Sequence, residues 1–120
     1  MSAAVYAVTF DCGNAATLAR FWSSVLERPT DPDTSEEFAS IGLPDAGAAQ
    51  PGLMFNKVPE GKTAKNRVHL DLMAASLESE VDRLLALGAQ RLGDFDEGGS
   101  RWVTLTDPEG NEFDVLAEQA

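Results

Sequence analysis

The second half of this chain repeats the first, and that limits its possible folds more than any other feature. Tyr6-Ala7-Val8 lies over Val68-His69-Leu70, and Phe38-Ala39-Ser40-Ile41 lies over Trp102-Val103-Thr104-Leu105, in the same order and with the same apolar phase. Each copy is one supersecondary unit, too small to bury a core alone, so the expected solution is two stacked modules. In 120 residues there is room for these two and little else.

Residues 5–11 (VYAVTFD) alternate, with Tyr6, Val8 and Phe10 on one face and Ala7, Thr9 and Asp11 on the other, as in a half-buried strand. Asn14 is a good N-cap for a helix near 15–27, whose Leu18, Phe21, Trp22, Val25 and Leu26 follow at helical spacing until Pro29 stops it. The turn-rich stretch 30–36 has room for one poorly formed strand. Strands are expected over 37–43 and 53–58, with the loop PDAGAAQPG between them.

The second half runs likewise. RVHLDL (67–72) alternates, with Val68, Leu70 and Leu72 on one face and Arg67, His69 and Asp71 on the other. A helix over 76–87 starts from Ser76 and carries Leu77, Val81, Leu84 and Leu85 as its stripe, with Gly88 just past its last turn. AQRLGDF is a weak strand, and 101–106 and 112–117 are stronger ones joined by the turn sequence DPEGN (107–111). The order predicts an α+β domain over residues 1–120. It consists of two βαβββ modules, about 4–58 and 67–117, connected by PEGKTAKN (59–66).

A net charge of −11 argues against nucleic acid, which requires a basic surface. The positive charge is concentrated, because Lys57, Lys62, Lys65 and Arg67 share the segment 57–67 with Glu60 as its only acid. That segment is either a solvated connector or a local anion site. No apolar run approaches the ~18 residues of a membrane span. MSAAVYAVTF has no basic region ahead of its apolar run, so no signal peptide is expected. A lone cysteine, Cys12, cannot form an internal disulfide, and together these features predict a cytoplasmic protein. Cys12 itself reads as a small packed residue.

FDCGNAATLARFWSSVL, PGLMFNKVPEGKTAKNRVHLDL and RWVTLTDPEGNEFDVL resemble, over nearly the whole chain and in order, the glyoxalase-like proteins of the vicinal oxygen chelate superfamily. The resemblance implies paired βαβββ modules whose eight strands curl as a mixed sheet around a cleft. Enzymes of that superfamily hold a divalent metal there, and other members bind antibiotics without one. Fold therefore does not fix function.

By the resemblance, metal ligands lie on the first and last strands of each module, and two positions match: His69 and Glu112. Alternation turns His69, the single histidine, away from the helix-packed core. In the first module the repeat places Ala7 opposite His69, and Ala7 coordinates nothing. Matching Phe113 to Phe55 places Met54 opposite Glu112, and a thioether suits hard cations poorly. A register shifted by two would put Asn56 there instead. Catalytic zinc usually has three protein ligands, so no metal at full occupancy is expected, with His69 and Glu112 as the candidates if one binds.

The favoured role for His69 is a cleft histidine hydrogen-bonded to Glu112 or Asp71, usable as a general base. Arg67, on the same expected face, suits a carboxylate or phosphate. Asp71, Trp102 and Asn56 are further ligand-binding candidates, and Asp11 and Asp114 add carboxylates on cleft-lining strands. Trp102 has a competing role as a core residue.

Three functions are expected from these features. The first is a binder of a small polar metabolite or antibiotic, with no cofactor. The second is a metal-dependent lyase, isomerase or dioxygenase using His69 and Glu112. The third is an assembly domain with a decayed cleft. Edge strands and small cores point to a homodimer.

Overall fold

The computed structural model describes residues 2–45 and 50–118, so part of the predicted 44–52 loop, residues 46–49, lies outside them. The chain forms two compact units that divide between Gly61 and Lys62, inside the predicted connector. The first contains β1 (Ala7–Cys12), α1 (Ala15–Leu26), β2 (Phe38–Ile41), a 3-10 turn (Leu43–Asp45) and β3 (Gly52–Lys57). The second contains β4 (Asp71–Ala74), α2 (Leu77–Leu87), β5 (Gln90–Glu97), β6 (Ser100–Thr106) and β7 (Glu112–Ala117). The architecture is the α+β two-module fold that the repeat predicts.

Both modules share one wiring. The sheet of the first runs β1-β3-β2 and that of the second β4-β7-β6-β5. In each, the first and last strands pair in parallel and the last strand pairs antiparallel with its neighbour. Eight strands were expected and the described residues form seven. The missing one, after α1, is reduced to a bridge between Thr30 and Ile41. Pro29 and Pro32 bracket that bridge and have no N–H to donate. The Asp31 carboxylate also draws the local donors, accepting from Ser40 Oγ, Gly42 N and Leu43 N at 2.8–3.2 Å.

Asn14 caps α1, its side chain accepting from Thr17 N at 3.0 Å. The helix ends at Glu27, in left-handed geometry, two residues before Pro29. Its buried stripe (Leu18, Phe21, Trp22, Val25) covers β2 and β3, where Phe10 stacks on Phe55. Ser76 occupies the N-cap of α2, but its hydroxyl bonds Ser79 Oγ rather than a backbone amide. Leu77, Val81 and Leu84 of α2 are buried, as are Val103, Leu105, Phe113 and Val115 on one face of the second sheet.

DPEGN closes the β6–β7 hairpin as predicted. Asp107, 2% exposed, accepts from Glu109 N, Asn111 N and Asn111 Nδ2 at 2.9–3.2 Å. Asp107→Ala strands these donors and is expected to cost about 1–3 kcal/mol, read as a lower urea midpoint at unchanged slope.

Two further expectations are corrected. β4 begins at Asp71, not at residue 67, so Arg67, Val68 and His69 precede it. Val68, expected on the helix-packed side, is 78% exposed. The cause is Asn66, whose backbone N–H donates to Glu112 Oε1 and whose side-chain amide donates to the Glu112 carbonyl. Those bonds occupy the start of β7, and pairing with β4 resumes only where Asp114 N donates to the Leu70 carbonyl at 3.0 Å.

Candidate functional site

Strand register builds the site. Residues directly opposite on neighbouring strands share a sheet face. Asp71 pairs with Asp114, Asp114 with Thr104, and Thr104 with Gly93, so these four form one row across β4, β7, β6 and β5. The next row on that face runs Met73, Leu116, Trp102, Phe95. Because the opposite face carries the buried residues, these rows line the face turned away from the apolar core. His69, two residues before Asp71, joins the first row.

The imidazole Nδ1 of His69 lies 2.9 Å from Asp71 Oδ1 and 3.8 Å from Asp114 Oδ2. Thr104 donates its hydroxyl to Asp114 Oδ1 at 2.6 Å, which fixes that carboxylate and turns Oδ2 toward the ring. One donor atom from each of His69, Asp71 and Asp114 falls within 4.8 Å of the others. An imidazole with two carboxylates is a mixed nitrogen–oxygen set of the kind manganese, iron or zinc accepts, so these donors fit a divalent ion.

A cavity of about 270 Å³ opens beside this group. His69, Thr104, Asp114 and Glu112 line one side, Leu92, Gly93 and Phe95 the other, with Lys65 at the rim. A β-bulge makes the second side. The β5–β6 register shifts between Arg91 and Gly93, leaving Leu92 as the extra residue. Phe95 is braced from behind by Trp102, ring centroids 5.3 Å apart and planes 14° from parallel.

Glu112 lines the same cavity as His69, as expected, but its hydrogen-bond partners lie elsewhere. It does not reach His69 as a partner. It takes the Asn66 amide at 3.0 Å and the Lys62 ammonium at 3.1 Å. The Asn66 amide first, then its own backbone amide and Lys62, hold its carboxyl below the ordinary glutamate range despite partial burial. A depressed carboxyl stabilises the fold above its unfolded pKa and loses that contribution as pH falls through the folded value. The 62–66 segment is therefore expected to detach in acid and to be anchored at neutral pH. Hydrogen exchange at the Asn66 amide, fast in acid relative to Leu105 and slow at pH 7 after correction for intrinsic rates, checks this.

The structure thus brings His69 and Asp71 together and places Trp102 behind the cavity wall. Arg67 is exposed and does not line the cavity, and Asn56 belongs to β3 of the first module, where its carbonyl accepts the Cys12 thiol. Asp114, expected as a carboxylate on a cleft-lining strand, does line the cavity, whereas Thr104 and the Leu92–Gly93 bulge were not foreseen.

The glyoxalase-like domain family matches residues 7–116. This chain is a member of the glyoxalase-like family. Its fold is similar to a glyoxalase/bleomycin resistance protein/dioxygenase family enzyme from Burkholderia phytofirmans, with TM-score 0.77 and 15% identity over 96% of this chain and 98% of that one. It is also similar to the fosfomycin resistance protein FosX from Listeria monocytogenes, as an E126Q mutant complexed with Mn(II) and 1S,2S-dihydroxypropylphosphonic acid. There the TM-score is 0.76 at 11% identity, covering 99% and 92% of the two chains. Lactoylglutathione lyase from Agrobacterium tumefaciens matches with TM-score 0.66 and 14% identity, covering 98% and 95%. No curated protein sequence matches this glyoxalase-like chain. At these identities the solved structures speak for the fold alone.

Proposed function

We propose that this glyoxalase-like protein binds a small metabolite or antibiotic-like compound in the cavity of its second module, without a tightly held metal. One observation carries this: a small cavity, apolar on the Leu92–Phe95 side, with His69, Thr104 and Asp114 converging on the other. Such a division into an apolar wall and a few placed polar groups is what small-molecule sites use. A fragment screen read by amide chemical shifts tests it. Hits are expected to move Phe95, Thr104 and Asp114 together, and His69→Ala is expected to weaken them about tenfold, a loss of ~1.4 kcal/mol. Hits scattered over the surface with no common residues would count against the cavity.

A second function, metal-dependent lyase, isomerase or dioxygenase activity, is favoured by the donor group His69, Asp71 and Asp114 rather than by the His69–Glu112 pair expected from sequence. In it the bound ion supplies Lewis acidity to substrate oxygens. The chain's own part is positional, Asp71 orienting the His69 ring and Thr104 orienting Asp114.

We place the protein in the cytoplasm as a homodimer. Its one cysteine, Cys12, is buried, and among the described residues no helix is long and apolar enough to cross a membrane. Sedimentation at micromolar concentration tests the dimer, and a single species at monomer mass would count against it.

A further inference from the structure

The chemistry of the cavity narrows its ligand to one class, an inference that rests on the binding function proposed for the same site. At the polar end of the cavity most groups are already satisfied within the protein. The Thr104 proton is given to Asp114 Oδ1, and Glu112 is answered by Asn66 and Lys62. His69 Nδ1 is engaged by Asp71 at 2.9 Å. Asp114 Oδ2 differs. Among the described residues no hydrogen bond reaches it, and His69 Nδ1, 3.8 Å away, lies beyond hydrogen-bond range. A solvent-accessible carboxylate oxygen facing a cavity can accept from a ligand donor, and a charged donor makes the strongest such bond.

The local charge agrees. Of the charged side chains that line the cavity, Asp114 and Glu112 outnumber Lys65 by one, in a chain of net charge −11. An anion at Asp114 would meet repulsion from Asp71 as well, whereas a cation is attracted by both.

The apolar end specifies shape. Leu92 and Phe95 are 59% and 42% exposed, and the Phe95 ring is held flat by Trp102. Gly93 sits between them in the row with Thr104. Its backbone does not require glycine, since its φ lies outside the left-handed region and an added Cβ would come no nearer than 3.4 Å, to the Phe95 ring. What the missing side chain provides is room. A volume of about 270 Å³ is enough for one ring and a short head group.

We propose that this cavity takes a small organic ammonium compound, with a flat apolar ring against Leu92, Gly93 and Phe95 and a protonated nitrogen donating to Asp114. The ligand class is recognised by the free carboxylate oxygen at one end and the apolar wall of Leu92, Gly93 and Phe95 at the other.

The test is an amide-shift titration of the full chain, in EDTA, with benzylammonium, benzyl alcohol and benzoate as probes. Benzylammonium is expected to give saturable one-to-one shifts at Gly93, Phe95, Thr104 and Asp114, and to bind at least tenfold more tightly than the alcohol or benzoate. Asp114→Asn should remove that preference. Gly93→Val should abolish binding of all three, and Gly93→Ala, whose methyl the backbone admits, should weaken it several-fold in a chain with unchanged amide dispersion. Benzoate or the alcohol binding the same residues as tightly would overturn the ammonium class and leave the cavity's binding role standing. No saturable shift with any probe would overturn both. Cavity-wall resonances that move on dilution of the protein would assign the wall to a second copy of the chain and overturn the small-molecule ligand.

Discussion

Phe113→Ala is expected to destabilise the protein by about 3–5 kcal/mol and to lower its melting temperature by roughly 10–20 °C. Phe113 is 1% exposed on β7, the strand that pairs with both β4 and β6, so its removal opens a cavity that several strands must share. A module of about 60 residues buries proportionally little surface and has small reserves. Against a typical total of about 5–15 kcal/mol, the loss is a large share. Leu92→Ala is the matched control. Leu92 stands 59% exposed on the cavity side, and its truncation should change stability by only about 0.5 kcal/mol. Calorimetry of the two variants checks the pair. Equal losses would mean that the core of the second module does not lie where Phe113 is.

The repeat, both helices, the Asn14 cap and the DPEGN hairpin were legible because each rests on local chemistry: periodicity, a capping amide, a turn motif. The site was less legible because register is not local. Aligning Phe113 with Phe55 matched Met54 to Glu112. The pairings show otherwise, since Ser40 faces Met54 just as Thr104 faces Asp114, which matches Met54 to Asp114 and Phe113 to Leu53. The difference is a slip of two residues. It keeps every side chain on its face, so alternation cannot detect it. The same pairings keep Ala7 opposite His69 in the repeat, as Thr9 pairs with Met54 and Asp71 with Asp114. The bulge at Leu92 was hidden for a related reason. A bulge is defined against the partner strand, and nothing in QRLGDF alone announces one. The early end of β4 pairing was hidden too, because it depends on Asn66 reaching Glu112 across the connector.

Asp114→Ala and Glu112→Ala are expected to fail in opposite ways, although both carboxylates lie on β7 with one residue between them. Asp114 supplies a donor atom to the group shared with His69 and Asp71, and its own tether is a single bond from Thr104. Its loss should cost about 1 kcal/mol of stability and abolish saturable uptake of manganese or zinc by the protein. Glu112 holds Asn66 and Lys62 instead. Its loss should cost about 1–3 kcal/mol and free the 62–66 segment, while ion uptake stays within a few-fold of the parent. The ion site itself should be weak. Three donors from one face, with Asp71 56% exposed, leave the ion largely to water. Because the donors are this exposed, metal content after dialysis against EDTA is expected to be well below one ion per chain. Equilibrium dialysis with manganese and zinc, run beside urea unfolding on both variants, makes the comparison. Uptake lost with Glu112 and kept without Asp114 would return the site to the His69–Glu112 pair. A full equivalent of metal surviving EDTA would put metal-dependent catalysis ahead of metal-free binding.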